Sequence, residues 1–199
     1  MNAPFKPDAL PEWNLADLYA GREDPKIETD LAAAKAANDE LASLEGMFLE
    51  ARGEPARLGK LLDRGIRLYE EAVNGLWGVG AYAGLAASTA RDDPAWAKFE
   101  ADLRARSSQI AAESLFFSLE LNQLEDSEIA KALEAHPDAA RWAPWLRRVR
   151  LSRPHELSPE LERFIVDKGP AVANWVRLYD ETLAKLVAKA GEETLTLPE

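Results

Sequence analysis

Two histidines and no cysteine are all this sequence offers for soft-metal or thiol chemistry. Without a thiol, a disulfide scaffold, an iron–sulfur cluster, a cysteine nucleophile and a Cys-ligated zinc are all excluded. His155 is followed by Glu156, the opening of an H-E-x-x-H pattern, in which two histidines one helical turn apart hold zinc and the glutamate activates water. The second ligand would stand at position 159, which is Pro159, so the motif fails. His136, beside Pro137, reads as a helix-end residue whose imidazole meets free carbonyls. The acid pairs Glu70-Glu71, Asp92-Asp93 and Glu192-Glu193 offer carboxylates, but neighbours along a helix point in different directions, so these pairs read as solvated surface. Neither a G-x-x-x-x-G-K-[ST] phosphate loop nor a G-x-S-x-G elbow occurs. The sequence nominates no catalytic, cofactor-binding or metal-binding residue.

One basic island stands out. Arg141, Arg147, Arg148, Arg150 and Arg153 fall in a stretch with no acid between Ala139 and His155, interleaved with Trp142 and Trp145. Basic and aromatic residues together are the composition of a nucleic-acid surface. Trp142, Trp145, Leu146 and Val149 step at helical spacing, however, and are better used in a core, with the arginines on the wet side. The whole-chain balance argues the same way. With 24 Lys+Arg against 35 Asp+Glu, the net charge is −11, a field that repels phosphate backbones and anionic lipid. No apolar run is long enough to span a bilayer, and Met1 to Leu10 is polar and proline-punctuated rather than signal-like. The expectation is a cytoplasmic protein that binds neither nucleic acid nor membrane.

The elements that would position any site are helices. At 199 residues and 47% hydrophobic composition, the chain can bury a core without metal or disulfide. Asp24 before Pro25 signals an N-cap and first helical residue, and Ile27, Leu31, Ala34, Leu41, Leu44 and Phe48 recur at three- and four-residue steps up to Gly53 and Pro55. A second helix runs from Pro55 towards Ala90, with Leu58, Leu62, Ile66, Tyr69, Val73 and Trp77 on its apolar stripe. Gly80, Ala83, Gly84 and Ala87 then make a face with almost no bulk, which predicts close approach of a neighbouring helix. After Asp92-Asp93-Pro94 comes a third helix carrying Trp96, Phe99, Leu103, Ile110, Ser114, Phe117 and Leu121. Shorter helices hold Ile129 and Leu133, then Trp142 to Val149. Another opens at Ser158-Pro159-Glu160, and a last long one begins near Pro170 with Trp175, Leu178, Tyr179 and Leu183 on its apolar face. The class is all-α: long antiparallel helices followed by shorter ones, with at most one short strand, around Thr194 to Leu197. The expected organisation is an N-terminal arm and docking turn over residues 1–25, a helical domain over 26–190, and the start of a following region over 191–199. Thr196-Leu197-Pro198-Glu199 has the form of a capping box, which starts a helix, so the chain reads as the front of a longer polypeptide.

Several ordered segments together resemble the front of the oligoendopeptidase F family, zinc metallopeptidases related to thimet oligopeptidase. They are Trp13-Asn14-Leu15-Ala16-Asp17-Leu18-Tyr19, Tyr82-Ala83-Gly84-Leu85 with Arg91-Asp92-Asp93, Phe117-Ser118-Leu119-Glu120-Leu121, Trp142-Ala143-Pro144-Trp145-Leu146-Arg147-Arg148, Arg153-Pro154-His155-Glu156-Leu157-Ser158 with Glu162, and Asn174-Trp175 with Leu178-Tyr179-Asp180-Glu181-Thr182. The resemblance implies a parent enzyme that hydrolyses oligopeptides with a zinc-bound water, inside a channel between two largely helical halves. The family's H-E-x-x-H and its third zinc ligand lie downstream of these segments, so none of those residues is carried over. Zinc is implied for the parent and no cofactor for this segment. The implied partners are the catalytic region of the same polypeptide and the parent's oligopeptide substrate, and the implied role is a wall or lid over the channel, catalytically silent by itself. The competing reading is a free-standing helical interaction module that uses the Gly80–Ala87 face or the arginine island to hold a partner.

Overall fold

The computed structural model describes residues 14–90, 93–184, 186–191 and 193–196. Trp13, Arg91, Asp92, Glu192 and the Leu197–Glu199 part of the expected capping box lie outside them, as does most of the expected arm. Asn14 caps a short 3₁₀ turn, Leu15–Asp17, and the chain is then anchored by Tyr19, which is buried. The Tyr19 hydroxyl donates to Asp30 at 2.7 Å, and its ring meets Tyr82 edge-on at 5.1 Å.

Helix α1, Pro25–Ala42, begins where the Asp-Pro signal places it, with Asp24 accepting from the Lys26 N–H at 2.9 Å. A side-chain oxygen at this position satisfies one of the unpaired N–H groups of the first turn and stabilises by about 1 kcal/mol. The helix ends well before Gly53, contrary to the sequence expectation. Gly46, at φ +84°, turns the chain in the left-handed region, which no β-carbon opposes, and a single turn follows, α2, Met47–Glu50.

Helix α3, Pro55–Thr89, has 35 residues and is about 52 Å long at 1.5 Å per residue. Its first half packs Leu58, Leu62 and Ile66 into a cluster with Leu41 of α1 and Phe48 of α2. Its second half packs Val79, Tyr82, Ala83 and Ala86 with Tyr19, Ile27, Leu31 and, from the next helix, Leu103. Trp77, expected in the stripe, is 75% exposed instead. Over a helix this long the 3.6-residue period carries a fixed stripe around the axis, so positions 79, 83 and 86 face inward and 77 faces out. The bare face is likewise misplaced by sequence reading. Among the described residues nothing lies within 4 Å of a β-carbon built on Gly80 or Gly84, so none of the described helices packs there. The close approaches are at Gly59, where a β-carbon would stand 2.5 Å from the Ala132 carbonyl oxygen, at Gly65, where it would stand 2.8 Å from the Phe48 ring, and at Gly75, where it would stand 2.9 Å from the Ala34 β-carbon.

Asp93 caps α4, Pro94–Ala112, by accepting from the Ala95 N–H at 2.8 Å. The expected third helix breaks at Glu113 and Ser114, and α5, Leu115–Gln123, sets off separately. The break frees carbonyls at the end of α4, and buried Asn38 of α1 donates its side-chain amide to one of them, Ile110, at 2.9 Å. The turn lets Phe117, Leu121 and Leu124 enter the first cluster, which the straight continuation of α4 would not reach. Next come α6, Asp126–Ala135, with a reciprocal Glu125 and Glu128 capping box, α7, Pro137–Ala140, and α8, Ala143–Val149. Finally α9, Pro159–Ala184, is one helix of 26 residues, not the two that Pro159 and Pro170 suggest. Pro170 falls inside it and removes one backbone hydrogen bond.

The class is all-α. The Thr194 to Leu197 fragment does form a strand, Glu193–Thr196 (β2), and its backbone partner is Val187–Ala190 (β1), paired antiparallel with Val187 opposite Thr196. A strand needs such a partner to satisfy its backbone, so the one expected strand is half of a two-stranded hairpin. Replacing Gly59 or Gly65 by Ala is expected to destabilise the fold by about 1–3 kcal/mol through overpacking. Gly84→Ala, in open space, is expected to stabilise by about 0.5–1 kcal/mol through helix propensity. Urea denaturation of the three variants checks both signs.

Candidate functional site

Along one face of α4, Ala97, Ala101, Ala105, Ser108 and Ala112 follow at steps of three and four, all small. Facing them from α9 are Gly169, Ala173, Val176 and Asp180, again one helical face, and the end of α3 contributes Ala87 and Ser88. With so little bulk along this face of α4, a cleft of about 1800 Å³ opens between the two helices. At its base the Tyr69 ring lies 5.6 Å from both Phe117 and Trp145, which ties the cleft to the first core cluster.

Charges line the cleft in both signs: Lys98, Arg104 and Arg177 with Glu100, Asp167 and Asp180. Arg104 is bonded to Glu100, and Lys98 to Asp102, each one helical turn away. Three of the lining hydroxyls are engaged by their own backbones: Ser88 donates to the Gly84 carbonyl at 2.8 Å, Ser114 to Ala111 at 3.0 Å and Ser118 to Leu115 at 3.2 Å. None of them has an imidazole or a carboxylate positioned to activate it, and neither histidine lines the cleft. A cleft of this size with a small-residue wall can hold a slender chain.

The other residues the sequence singles out are scattered and structural. His136 sits at the α6–α7 corner, where its β-carbon faces Gly59. His155 is exposed in a 3₁₀ turn, and its neighbour Glu156 accepts from Asn122 and, at 3.1 Å, from Ser152. Glu70 and Glu71 are exposed, and Asp93 is spent on its cap. The arginine island divides as its aromatic spacing suggests. Trp142 and Trp145 pack on the core, and Trp142 Nε1 donates to Asp63 at 2.9 Å. Arg141 lies over the Trp142 ring at 4.2 Å. Arg150 fans into the corner after α5, donating to the carbonyls of Leu121 at 2.7 Å and Leu124 at 2.8 Å and to Asp126 at 2.7 Å. A cation there answers the negative end of the helix. Arg147 and Arg148 remain exposed. Among the described residues no group of three or more His, Asp or Glu is placed to hold a metal ion.

Sequence reading did not single out Glu120 for any role of its own. It is 7% exposed and accepts from the Gly46 N–H at 2.5 Å, so it closes the left-handed turn between α1 and α2. A lone acid on an apolar helix is the available signal. Burial pushes its carboxyl above the ordinary range; the Gly46 hydrogen bond pulls against that, and the nearby Glu45 adds to the rise.

Residues 120–187 match the family model described as Oligopeptidase F, an N-terminal peptidase model. The match runs from within α5, through the Arg150 corner and all of α9, to the first residue of β1. The match supports the resemblance to the front of oligoendopeptidase F over that stretch. No match is found among curated proteins, and none among solved structures.

The Glu120 environment yields a pH dependence. A carboxyl whose folded-state value is raised stabilises the fold fully below the unfolded Glu value of about 4.3, and that contribution is lost as pH rises through the folded value. The stability of Glu120→Gln relative to the unsubstituted chain should therefore improve as pH is raised from about 4 to about 8. Urea midpoints at several pH values check this, and a pH-independent difference contradicts it.

Proposed function

We propose that this chain is the N-terminal helical portion of an oligoendopeptidase F-like metallopeptidase of the cytoplasm. In this reading the cleft between α4 and α9 forms part of the wall of the chamber in which oligopeptides reach a catalytic centre carried elsewhere in the polypeptide. The observation that carries the reading is the Oligopeptidase F match over residues 120–187, which takes in the whole of α9. The cleft supports it by size and lining. About 1800 Å³ floored with Ala, Ser and Gly accommodates a peptide, whereas even a 100-residue folded domain, with a radius of gyration of about 13 Å, is far too large.

The family's zinc does not fit the residues present. His136 and His155 lie on separate corners, Pro159 occupies the place of a second H-E-x-x-H ligand, and the described residues offer no three-ligand group. No step of the reaction is therefore assigned to a metal here. What this chain contributes is shape: a rigid α3–α4 wall, a second wall from α9, and paired charges that leave the cleft without a strong field of either sign. No helix among the described residues is long and apolar enough to cross a membrane. The interaction-module reading draws support from one feature, the open α3 face where exposed Trp77 adjoins Gly80 and Gly84.

The purified 199-residue chain should release no fluorescence from quenched oligopeptides and should retain no zinc after dialysis. The polypeptide translated onward from the same reading frame should reach an H-E-x-x-H and cleave those peptides while sparing folded proteins. Turnover by the 199-residue chain, or a natural stop after codon 199, contradicts the proposal.

A further inference from the structure

The longest element after α3 is barely covered. On α9, Leu161, Ile165, Val172, Trp175 and Tyr179 recur along one side at steps of three, four and seven, and each is more than half exposed, Trp175 at 72%. Phe164 extends the stripe, with the Lys168 ammonium 5.4 Å from its ring. At about 150–250 Å² for a whole aromatic side chain, the stripe leaves on the order of 800 Å² open, one partner's share of a standard interface. That exceeds the few hundred Å² of contiguous apolar surface a free-standing monomer ordinarily shows. The stripe lies beside the cleft: the cleft takes the neighbouring side of α9, with Gly169, Ala173, Val176 and Asp180, and Val176 stands at the border between the two.

The edges of the stripe are acidic. Glu162 and Asp180 border it towards the cleft and Glu160 borders the other side near its start, while Lys168 is the one cation within it. A second copy would bring the same acids into register against them, on chains that each carry −11. The surface instead suits a helix that is apolar on one face and edged by Lys or Arg.

We propose that the apolar stripe of α9 is the seat of such a basic-edged amphipathic helix from the catalytic region of the same polypeptide. This rests on the function proposed above. The lack of cysteine supplies the test, because Val172→Cys introduces a unique thiol at the centre of the stripe of this chain, and Ala33→Cys on exposed α1 serves as reference. Maleimide labelling, followed by mass mapping, is compared between the 199-residue chain and the polypeptide continued through its catalytic region. Val172→Cys should label at least tenfold more slowly in the longer polypeptide, Ala33→Cys equally in both, and Trp175→Glu should restore fast labelling at position 172. If a longer polypeptide that cleaves peptides labels position 172 as fast as the short chain does, the docking is overturned and the peptidase reading survives. If the short chain protects position 172 in proportion to its own concentration and sediments as a dimer, the seat belongs to a second copy and the proposal fails. A reading frame that encodes no catalytic region overturns both.

Discussion

Because Gly59 and Gly65 carry no β-carbons, the Ala132 carbonyl of α6 and the rings of Phe48 and Phe117 can lie directly against the backbone of α3. That close approach is the constraint from which the remaining structure follows. A helix of 35 residues, with eight other α-helices among the described residues to organise, cannot rely on propensity, and α3 contains several glycines that weaken it. Its stability comes from tertiary packing of its faces, as for most protein helices. Both core clusters are built on it, the first around Leu58, Leu62 and Ile66 and the second around Val79, Tyr82 and Ala83. Surface ion pairs such as Arg64–Glu40 between α3 and α1 and Arg106–Glu28 between α4 and α1 add alignment, and each contributes less than about 1 kcal/mol.

From this spine, order is handed outward in steps. Glu120 closes the turn after α1, Asn38 takes up a carbonyl freed at the end of α4, and Arg150 fills the corner after α5. Each is a buried or half-buried polar group that satisfies backbone atoms at a break between helices, so each break becomes a fixed corner. The Arg150 corner directs the chain towards α9, and α9 faces the small-residue side of α4. The cleft therefore exists because the α4 wall has little bulk, and its position is set by residues that do not line it. At the far end of this sequence α9 keeps little cover of its own, which places it at the low-stability end of the molecule.

Much of this architecture was legible in the residues. The Asp24-Pro25 and Asp93-Pro94 caps, the all-α class, the core placement of Trp142 and Trp145, and the resemblance across residues 120–187 all follow from local chemistry or ordered motifs. Three things were not legible, for physical reasons. The ends of α1 and α4 are decided by a left-handed Gly46 and by Asn38 reaching across from another helix, neither of which leaves a periodic mark. Trp77 and Gly84 look like interior residues on a fixed stripe, but the drift of the helical period over 35 residues turns them outward. The apolar face of α9 reads in sequence as a core face, and it is one that the other described residues leave exposed. The cleft itself has no motif, since it depends on small side chains along α4 and on where the fold places α9.

The central claim, that this chain is a preformed wall whose last helix is completed by a catalytic region, is tested most directly by hydrogen exchange on α9. In the 199-residue chain the amides of α9 should exchange orders of magnitude faster than those of the first half of α3, and the difference should shrink sharply in the continued polypeptide. Protection of α9 equal to that of α3 in the short chain, or unchanged by the continuation, would contradict the account.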